Sequence, residues 1–365
     1  MTTDFLIVGA GFAGLVTAER LTNAGFRCVV VDKRKHLGGN AHDSRDGAGV
    51  LIHNYGPHYF RTNSPRIVEY LSRFTGWHPV DYTIKSFSGG RYWSFPINLN
   101  TFEEWLGRPS TTEEMEEWLA ETRSSYPDPK NSEEAVLGQV GEEFYRRFFE
   151  GYTLKQWKRH PRDLDASVCG RIPVRTNRDN RYLSEEFQAL PADGYTAMFE
   201  RMVAASPGLE LHLDTDFAAA RQRWTFRHLI FTGPIDEYYD HCLGPLPYRS
   251  LRFEMESFTA PELLAREDIS GKKGFWQPAM QVNYPEAEVP FTRIVEIKHA
   301  TGQDIEASTI VREFPHDWEP GGEPFYPIPA DDSKALYQRY AAMAEHEKNV
   351  SFIGRLGTYR YYNMD

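Results

Sequence analysis

The opening forty residues constrain this chain more than any other stretch. Phe5-Leu6-Ile7-Val8 is an apolar run with the length of a buried parallel strand. Gly9-Ala10-Gly11-Phe12-Ala13-Gly14 follows without a gap. Residues 15–21 then carry the apolar spacing of a helix, which Asn23-Ala24-Gly25 stops. Cys28-Val29-Val30-Val31 is a second strand, and it ends on Asp32. Strand, GxGxxG, helix, strand and acid in this order define a dinucleotide-binding unit. Gly9 permits the tight turn, Gly11 lets a pyrophosphate reach the backbone, and Gly14 lets the helix lie close on the strand. The phosphates would meet unpaired N–H groups at the helix N-terminus. The Asp32 carboxylate would accept hydrogen bonds from the ribose hydroxyls.

Lys33-Arg34-Lys35-His36-Leu37-Gly38-Gly39-Asn40 adds a second glycine pair and an amide just past the acid. Alone, Gly-Gly-Asn reads equally as a surface turn. With the preceding unit, it resembles the large FAD-binding group of amine-oxidase-like and mutase flavoproteins. A chain of 365 residues buries a sizeable core and divides into two or three domains. Its net charge of −11 argues against nucleic acid or an anionic membrane as partner. An anionic substrate therefore requires a local arginine cluster. Cys28, Cys169 and Cys242 lack metal-ligand spacing, which predicts reduced thiols and no metal. Neither a leader pattern nor a membrane-length apolar run is visible, so the expected location is the cytoplasm.

Further along, residues 41–55 read as a hairpin turning at Gly47-Ala48-Gly49, residues 65–74 as a helix, and residues 82–95 as a second hairpin turning at Gly89-Gly90. Helical spacing dominates residues 101–157. Thr111 and Asn131 or Ser132 are candidate caps, and 140–152 reads as continuous helix. Residues 166–187 read as extended and arginine-rich. Strands are expected at 209–217, 228–231, 251–255, 281–283, 292–299, 309–313 and 350–355, with a helix at 331–345. The fold class predicted is α/β: a Rossmann-like FAD-binding domain (1–80, 191–247, 335–365), a helical insertion domain (101–165) and a mainly antiparallel sheet domain (81–100, 166–190, 248–334).

Glu150-Gly151-Tyr152-Thr153-Leu154-Lys155-Gln156-Trp157 is the second informative stretch. It matches the GYTxKQW segment of the UDP-galactopyranose mutases. Arg171-Ile172-Pro173-Val174-Arg175, Asn180-Arg181-Tyr182, Thr232-Gly233-Pro234, Tyr248-Arg249-Ser250-Leu251, Thr292-Arg293-Ile294, Glu323-Pro324-Phe325-Tyr326-Pro327 and the terminal Tyr361-Tyr362-Asn363-Met364 resemble that family in the same order. The resemblance runs over nearly the whole chain. It implies interconversion of UDP-galactopyranose and UDP-galactofuranose with no net redox change, by attack of reduced flavin N5 on the anomeric carbon and a covalent flavin–sugar adduct. It also implies a transient external reductant, a homodimer and a role in cell-surface polysaccharide synthesis.

The residues fit that chemistry. Arginine forks suit a diphosphate leaving group, and Arg171 and Arg293 are the candidates. Tyr182, Tyr326 and Tyr361 offer phenol donors, and Tyr152 can stack on uracil with Phe148 one helical turn before it. Trp157, Thr153 and Asn283 complete the substrate contacts that the resemblance implies. For the cofactor it implies Gly9, Gly11, Phe12, Gly14, Asp32, Lys33, Gly39, Asn40, His58, Tyr59, Thr232, Gly233, Arg355, Tyr362, Asn363 and Met364. His58 is expected beside the flavin ring, with Arg171 and Arg293 as catalytic partners. Each residue alone has a plainer reading: the aromatics as a core stripe, the arginines as surface ion pairs, and His58 as a structural histidine. Arg61 departs from a histidine common in the family, and Asn363 from an aspartate. The family continues past Met364 into a helix, whereas this sequence stops at Asp365. Two other functions share the N-terminal unit: a redox flavoenzyme of the amine-oxidase or desaturase type, and a non-catalytic binding protein like the Rab GDP-dissociation inhibitors.

Overall fold

The computed structural model describes residues 1–266, 274–319 and 321–365. Five parallel strands form the first sheet, in the order Leu209–His212, Cys28–Val31, Thr2–Val8, Thr225–Phe231, Val350–Phe352. Alternate residues of these strands face opposite sides, and both sides are covered. Ile7, Val30 and Ile230 pack with Leu15, Ala18, Met198 and Phe199, while Leu6, Val29 and Leu229 pack with Ala220 and Trp224. A parallel sheet buried on both faces accounts for the unbroken apolar runs in the sequence.

Strand register decides where the site lies. Val8 is level with both Val31 and Phe231. The next residues, Gly9, Asp32 and Thr232, therefore leave the sheet side by side at its C-terminal edge. Gly9 N–H donates to the Val31 carbonyl at 2.8 Å, and Thr232 N–H to the Val8 carbonyl at 3.0 Å. Ligand clefts in open α/β sheets form at this edge.

The second sheet has seven strands, in the order Tyr326–Pro327, Tyr248–Phe258, Ser308–Asp317, Arg293–Val295, Gln281–Asn283, Ile84–Ser88, Arg91–Phe95. Neighbours are antiparallel except Gln281–Asn283 beside Ile84–Ser88, which run parallel. Two smaller sheets pair Asp43–Arg45 with Leu51–His53, and Phe187–Pro191 with both Phe60–Thr62 and Trp77–Pro79. Both expected hairpins are present.

Helices Leu99–Leu106, Thr112–Thr122 and Ser132–Phe144 carry their own caps: Asn98, Thr111 and Asn131 each accept from the backbone three residues on. Phe102, Met115, Leu119, Val140, Phe144 and Phe148 fill the core between them.

Several element boundaries differ from expectation. The helix read over 140–152 is interrupted: Gly141 has φ +74°, and Tyr145–Glu150 forms a π-helical turn before Gly151–Trp157. The strand read over 209–217 stops at His212, because Asp216 caps a helix at Phe217–Arg223. That read over 292–299 keeps its ladder only at Arg293–Val295, and Lys298–Thr301 is a helical turn. Segment 166–187 starts with the helical turn Ser167–Gly170, and the last strand ends at Phe352 before the turn Gly354–Gly357. A side-chain cap at Asp216 and the positive-φ residues Gly141, Gly302 and Gly354 mark four of these changes.

Candidate active site

A cleft of about 820 Å³ opens at the C-terminal edge of the parallel sheet, a size suited to a cofactor. It is lined by Gly9, Gly11 and Phe12 of the glycine turn, and by Asp32, Lys33, Gly39 and Asn40 beyond the second strand. Thr232, Gly233, Arg355, His58, Tyr362, Asn363 and Met364 also line it. Gly11 begins the helix Phe12–Asn23, and no side chain caps its first N–H groups. Those donors and the positive end of the helix dipole point to an anion. A Cβ on Gly9, at φ +108°, would sit 2.0 Å from Thr232 Oγ1, and one on Gly14 would sit 1.9 Å from the Gly9 carbonyl oxygen. The cradle thus exists only with glycine at both positions. Asp32 Oδ2 accepts from Ala10 N–H at 2.7 Å and Oδ1 from Arg34 N–H at 2.9 Å. Carboxylate oxygens have further acceptor capacity for a ribose.

Arg34 ties this cleft to the second sheet. It donates to Asn40 Oδ1 at 2.8 Å and to Glu323 Oε2 at 2.6 Å, and its guanidinium lies 4.5 Å from the Tyr55 ring centre. Glu323 belongs to the segment that leads into Tyr326, and it lines the same cleft.

Beside the cleft, sheet register aligns a polar row. Asn283 is directly opposite Arg293, and Arg293 directly opposite Glu313. Arg293 Nε donates to Glu313 Oε2 at 2.6 Å, with side-chain exposures of 18% and 0%. Burial pushes the Glu313 carboxyl above its usual range, and Arg293 opposes that. Glu313 Oε1 is buried with no hydrogen-bond partner among the described residues. Tyr152, Tyr326 and Tyr59 lie within electrostatic reach of Arg293, and Tyr182, Tyr361 and Tyr326 within reach of Arg171. The exposed Tyr361 ring is flanked by two cations: Arg171 at 5.1 Å and Arg355 at 4.4 Å from its centre. The ring of Trp157 lies 6.3 Å from that of Tyr326.

His58 lines the cleft, and its Nδ1 lies 2.9 Å from the Gly56 carbonyl. Burial pulls its pKa down to about 3, helped by His53, Arg355 and Arg293. Burial alone takes His53 to about 4. Both imidazoles are neutral at physiological pH, so the His53 Nδ1 that receives the His58 N–H at 3.1 Å is an acceptor.

None of the substrate candidates lines this cleft, nor do the cofactor candidates Gly14 and Tyr59. Phe148, 4% exposed, packs against Trp93, Phe95 and Phe144 in the helical core. Tyr152, four residues on, lies instead within electrostatic reach of Arg293 and Tyr326. Thr153, 3% exposed, meets Cys169 Sγ at 3.4 Å. Gly14 packs beneath the cleft and does not line it. Tyr59 stacks on Tyr82 at 4.4 Å, and its hydroxyl donates to Gln281 Oε1 at 3.0 Å. Gln281 Nε2 in turn donates to Asn283 Oδ1 at 2.9 Å.

Reading the sequence alone missed Glu313 and Glu323, because acids at those positions read as ordinary strand and loop acids. The two departures, Arg61 and Asn363, meet each other: Arg61 Nη2 donates to Asn363 Oδ1 at 2.9 Å, while its Nε lies 3.1 Å from Glu185. Among the described residues no cluster of three or more His, Cys, Asp or Glu could hold a metal, and no helix is long and apolar enough to cross a membrane. Cys28, Cys169 and Cys242 are free thiols.

A glycine cradle at a helix N-terminus, an acid at the end of the second strand and a cofactor-sized cleft define a Rossmann-like dinucleotide-binding protein. Residues 7–74 match the model of the NAD(P)-binding Rossmann-like domain. Residues 147–361 match the model of the UDP-galactopyranose mutase family, and the chain belongs to that family. It is accordingly an isomerase of the FAD-dependent flavoprotein type, and the oxidase reading is not favoured. It is 35% identical to a probable UDP-galactopyranose mutase of Klebsiella pneumoniae, covering 99% of this chain and 91% of that one. It is 33% identical to a dTDP-fucopyranose mutase of Escherichia coli, covering 99% and 94%. The fold superposes on a crystal structure of reduced UDP-galactopyranose mutase with a TM-score of 0.75 and 18% identity, over 100% of this chain and 91% of that one.

Proposed function

We propose that the chain interconverts UDP-galactopyranose and UDP-galactofuranose with no net redox change. One observation supports this best: Tyr361 lies between Arg355 of the cofactor cleft and Arg171, so a cation suited to a substrate diphosphate adjoins the cofactor site. The cradle of Gly9, Gly11 and the uncapped helix start fits the pyrophosphate of FAD, with Asp32 for its ribose and Arg355 as a further cation. When bound and reduced, the flavin supplies the electron-rich nucleophile for the anomeric carbon.

Arg171 and Arg293 receive the diphosphate as its bond to the sugar breaks, because charge grows there in the transition state. Glu313 holds the Arg293 fork in one orientation, and the phenols of Tyr182, Tyr326 and Tyr361 donate hydrogen bonds nearby. Tyr152 stacks on the base, with Trp157 and Asn283 completing the contacts. His58, kept neutral, adds no charge beside the flavin ring. The same proposal includes a homodimer, checked by light scattering, a cytoplasmic location and an external reductant.

The deciding assay uses the protein reduced with dithionite. It should equilibrate UDP-galactofuranose with UDP-galactopyranose, while the oxidised form stays nearly inert. The E. coli relative is named for a dTDP-sugar, so a dTDP-fucopyranose arm runs in parallel. Turnover there alone would replace the proposed substrate, and oxygen consumption with an amine would replace the reaction.

A further inference from the structure

The GYTxKQW block contains a charged residue that the reaction does not use, Lys155. Its side chain leaves helix Gly151–Trp157, and Nζ donates to the carbonyls of Tyr284, Glu286 (2.8 Å), Val289 (3.0 Å) and Phe291 (2.9 Å). All four carbonyls belong to loop 284–291, which joins strand Gln281–Asn283 to strand Arg293–Val295. An ammonium has three N–H groups, so four oxygens share them. Without that cation, four carbonyl dipoles would face one another across a partly buried gap.

The same helix touches the same loop a second time. One turn before Lys155, a Cβ on Gly151 would lie 2.4 Å from the Pro285 carbonyl oxygen. The loop is also tied on its other side, where Glu286 Oε1 accepts from Gly89 N–H at 2.6 Å. One end runs directly into Asn283 and the other through Thr292 into Arg293, and Asn283 and Arg293 are register partners. Tyr152 lies between Gly151 and Lys155 on the helix.

We propose that Lys155 is a positioning residue: it locks the hairpin carrying Asn283 and Arg293 against the helix carrying Tyr152, and so sets the distance between the base-stacking ring and the diphosphate cation. This rests on the UDP-sugar reading above. Lys155 touches neither substrate nor cofactor. It acts through the loop, as a cation filling a cage of carbonyl oxygens.

The test is UDP binding to the flavin-loaded protein by titration calorimetry, with steady-state kinetics beside it. Lys155→Met and Gly151→Ala should each weaken UDP about tenfold or more, the scale of one charge-assisted hydrogen bond, and lower kcat/KM at least as much, with the flavin spectrum nearly unchanged. Gly151→Ala keeps the ammonium and displaces the loop, so it carries the test if Lys155→Met does not fold. Lys155→Arg, which keeps the charge, should recover part of the affinity. In an Arg293→Ala background, Lys155→Met should add less than about twofold, since the group it positions is gone. Wild-type UDP affinity in both single variants, or the same weakening in both backgrounds, would overturn the inference. Failure of the unaltered protein to bind UDP would instead sink the UDP-sugar reading, a separable result.

Discussion

The cofactor cleft and the face beside it are built from opposite materials. The cleft is backbone: glycines, N–H groups and carbonyls fixed by the register of three parallel strands, with Asp32 bracing the loop. The neighbouring face is side chain: arginines and phenols delivered by a helix, an irregular arginine-rich segment, two strands of the second sheet and the C-terminal segment. The first is vulnerable to a Cβ added at Gly9 or Gly14. The second is vulnerable to losing a partner charge, because Arg293 and Glu313 are held away from water.

The largest effect should come from Arg293→Ala. It leaves Glu313 buried and unpaired, at a cost of about 3–5 kcal/mol, and abolishes turnover. Adding Glu313→Gln should restore most of the stability in urea denaturation but none of the turnover. Full stability in the single variant would show that the pair is not the anchor of this face.

Gly14→Ala attacks the other material. Its Cβ would overlap the Gly9 carbonyl oxygen, which no rotamer can relieve. The expected result is loss of bound flavin and about 3 kcal/mol of stability. A yellow, stable variant would refute the glycine-cradle account.

Arg171→Ala separates function from stability on the side-chain face. Arg171 is exposed, so unfolding should change little, while kcat/KM falls by about a hundredfold with the flavin spectrum intact. Retained turnover would remove Arg171 from the site.

Acidification probes the histidines at the boundary of the two regions. His53 and His58 have native pKa values of about 4 and about 3, below the ordinary 6.5. The unfolded chain therefore binds more protons in this window. Stability is complete above pH 6.5 and falls as the pH drops toward 4, by up to about 1.4 kcal/mol per unit for each group. Asp43 and Glu313, pushed up by burial, act in the opposite sense from their ordinary carboxylate range upward, within the same window. The Tm should be lower at pH 5 than at pH 7, and less so in His53→Gln. A flat profile would show that neither histidine is held neutral.

The smallest effect belongs to Arg61→Ala. Its bonds to Asn363 and Glu185 are partly open to solvent, and about 1 kcal/mol or less is expected in urea denaturation. A loss well above that would make this contact a principal anchor of the C-terminal segment.

What the sequence by itself determined is what lies close along the chain. The strand–glycine–helix–strand–acid unit, the capped helix starts at Thr111 and Asn131 and the two glycine-turned hairpins all depend on neighbours a few residues apart, so periodicity and turn chemistry reveal them. The fold around them decided the rest. Phe148 went to the helical core, where Trp93, Phe95 and Phe144 enclose its ring. Glu313 became the partner of Arg293 through strand register, Glu323 reached Arg34 across 289 residues, and Lys155 found carbonyls 129 to 136 residues away. Burial and pairing across such separations have no local period to read. An acid or a lysine looks the same in the chain whether it will face water or an enclosed cation, and only the packed sheets settle which.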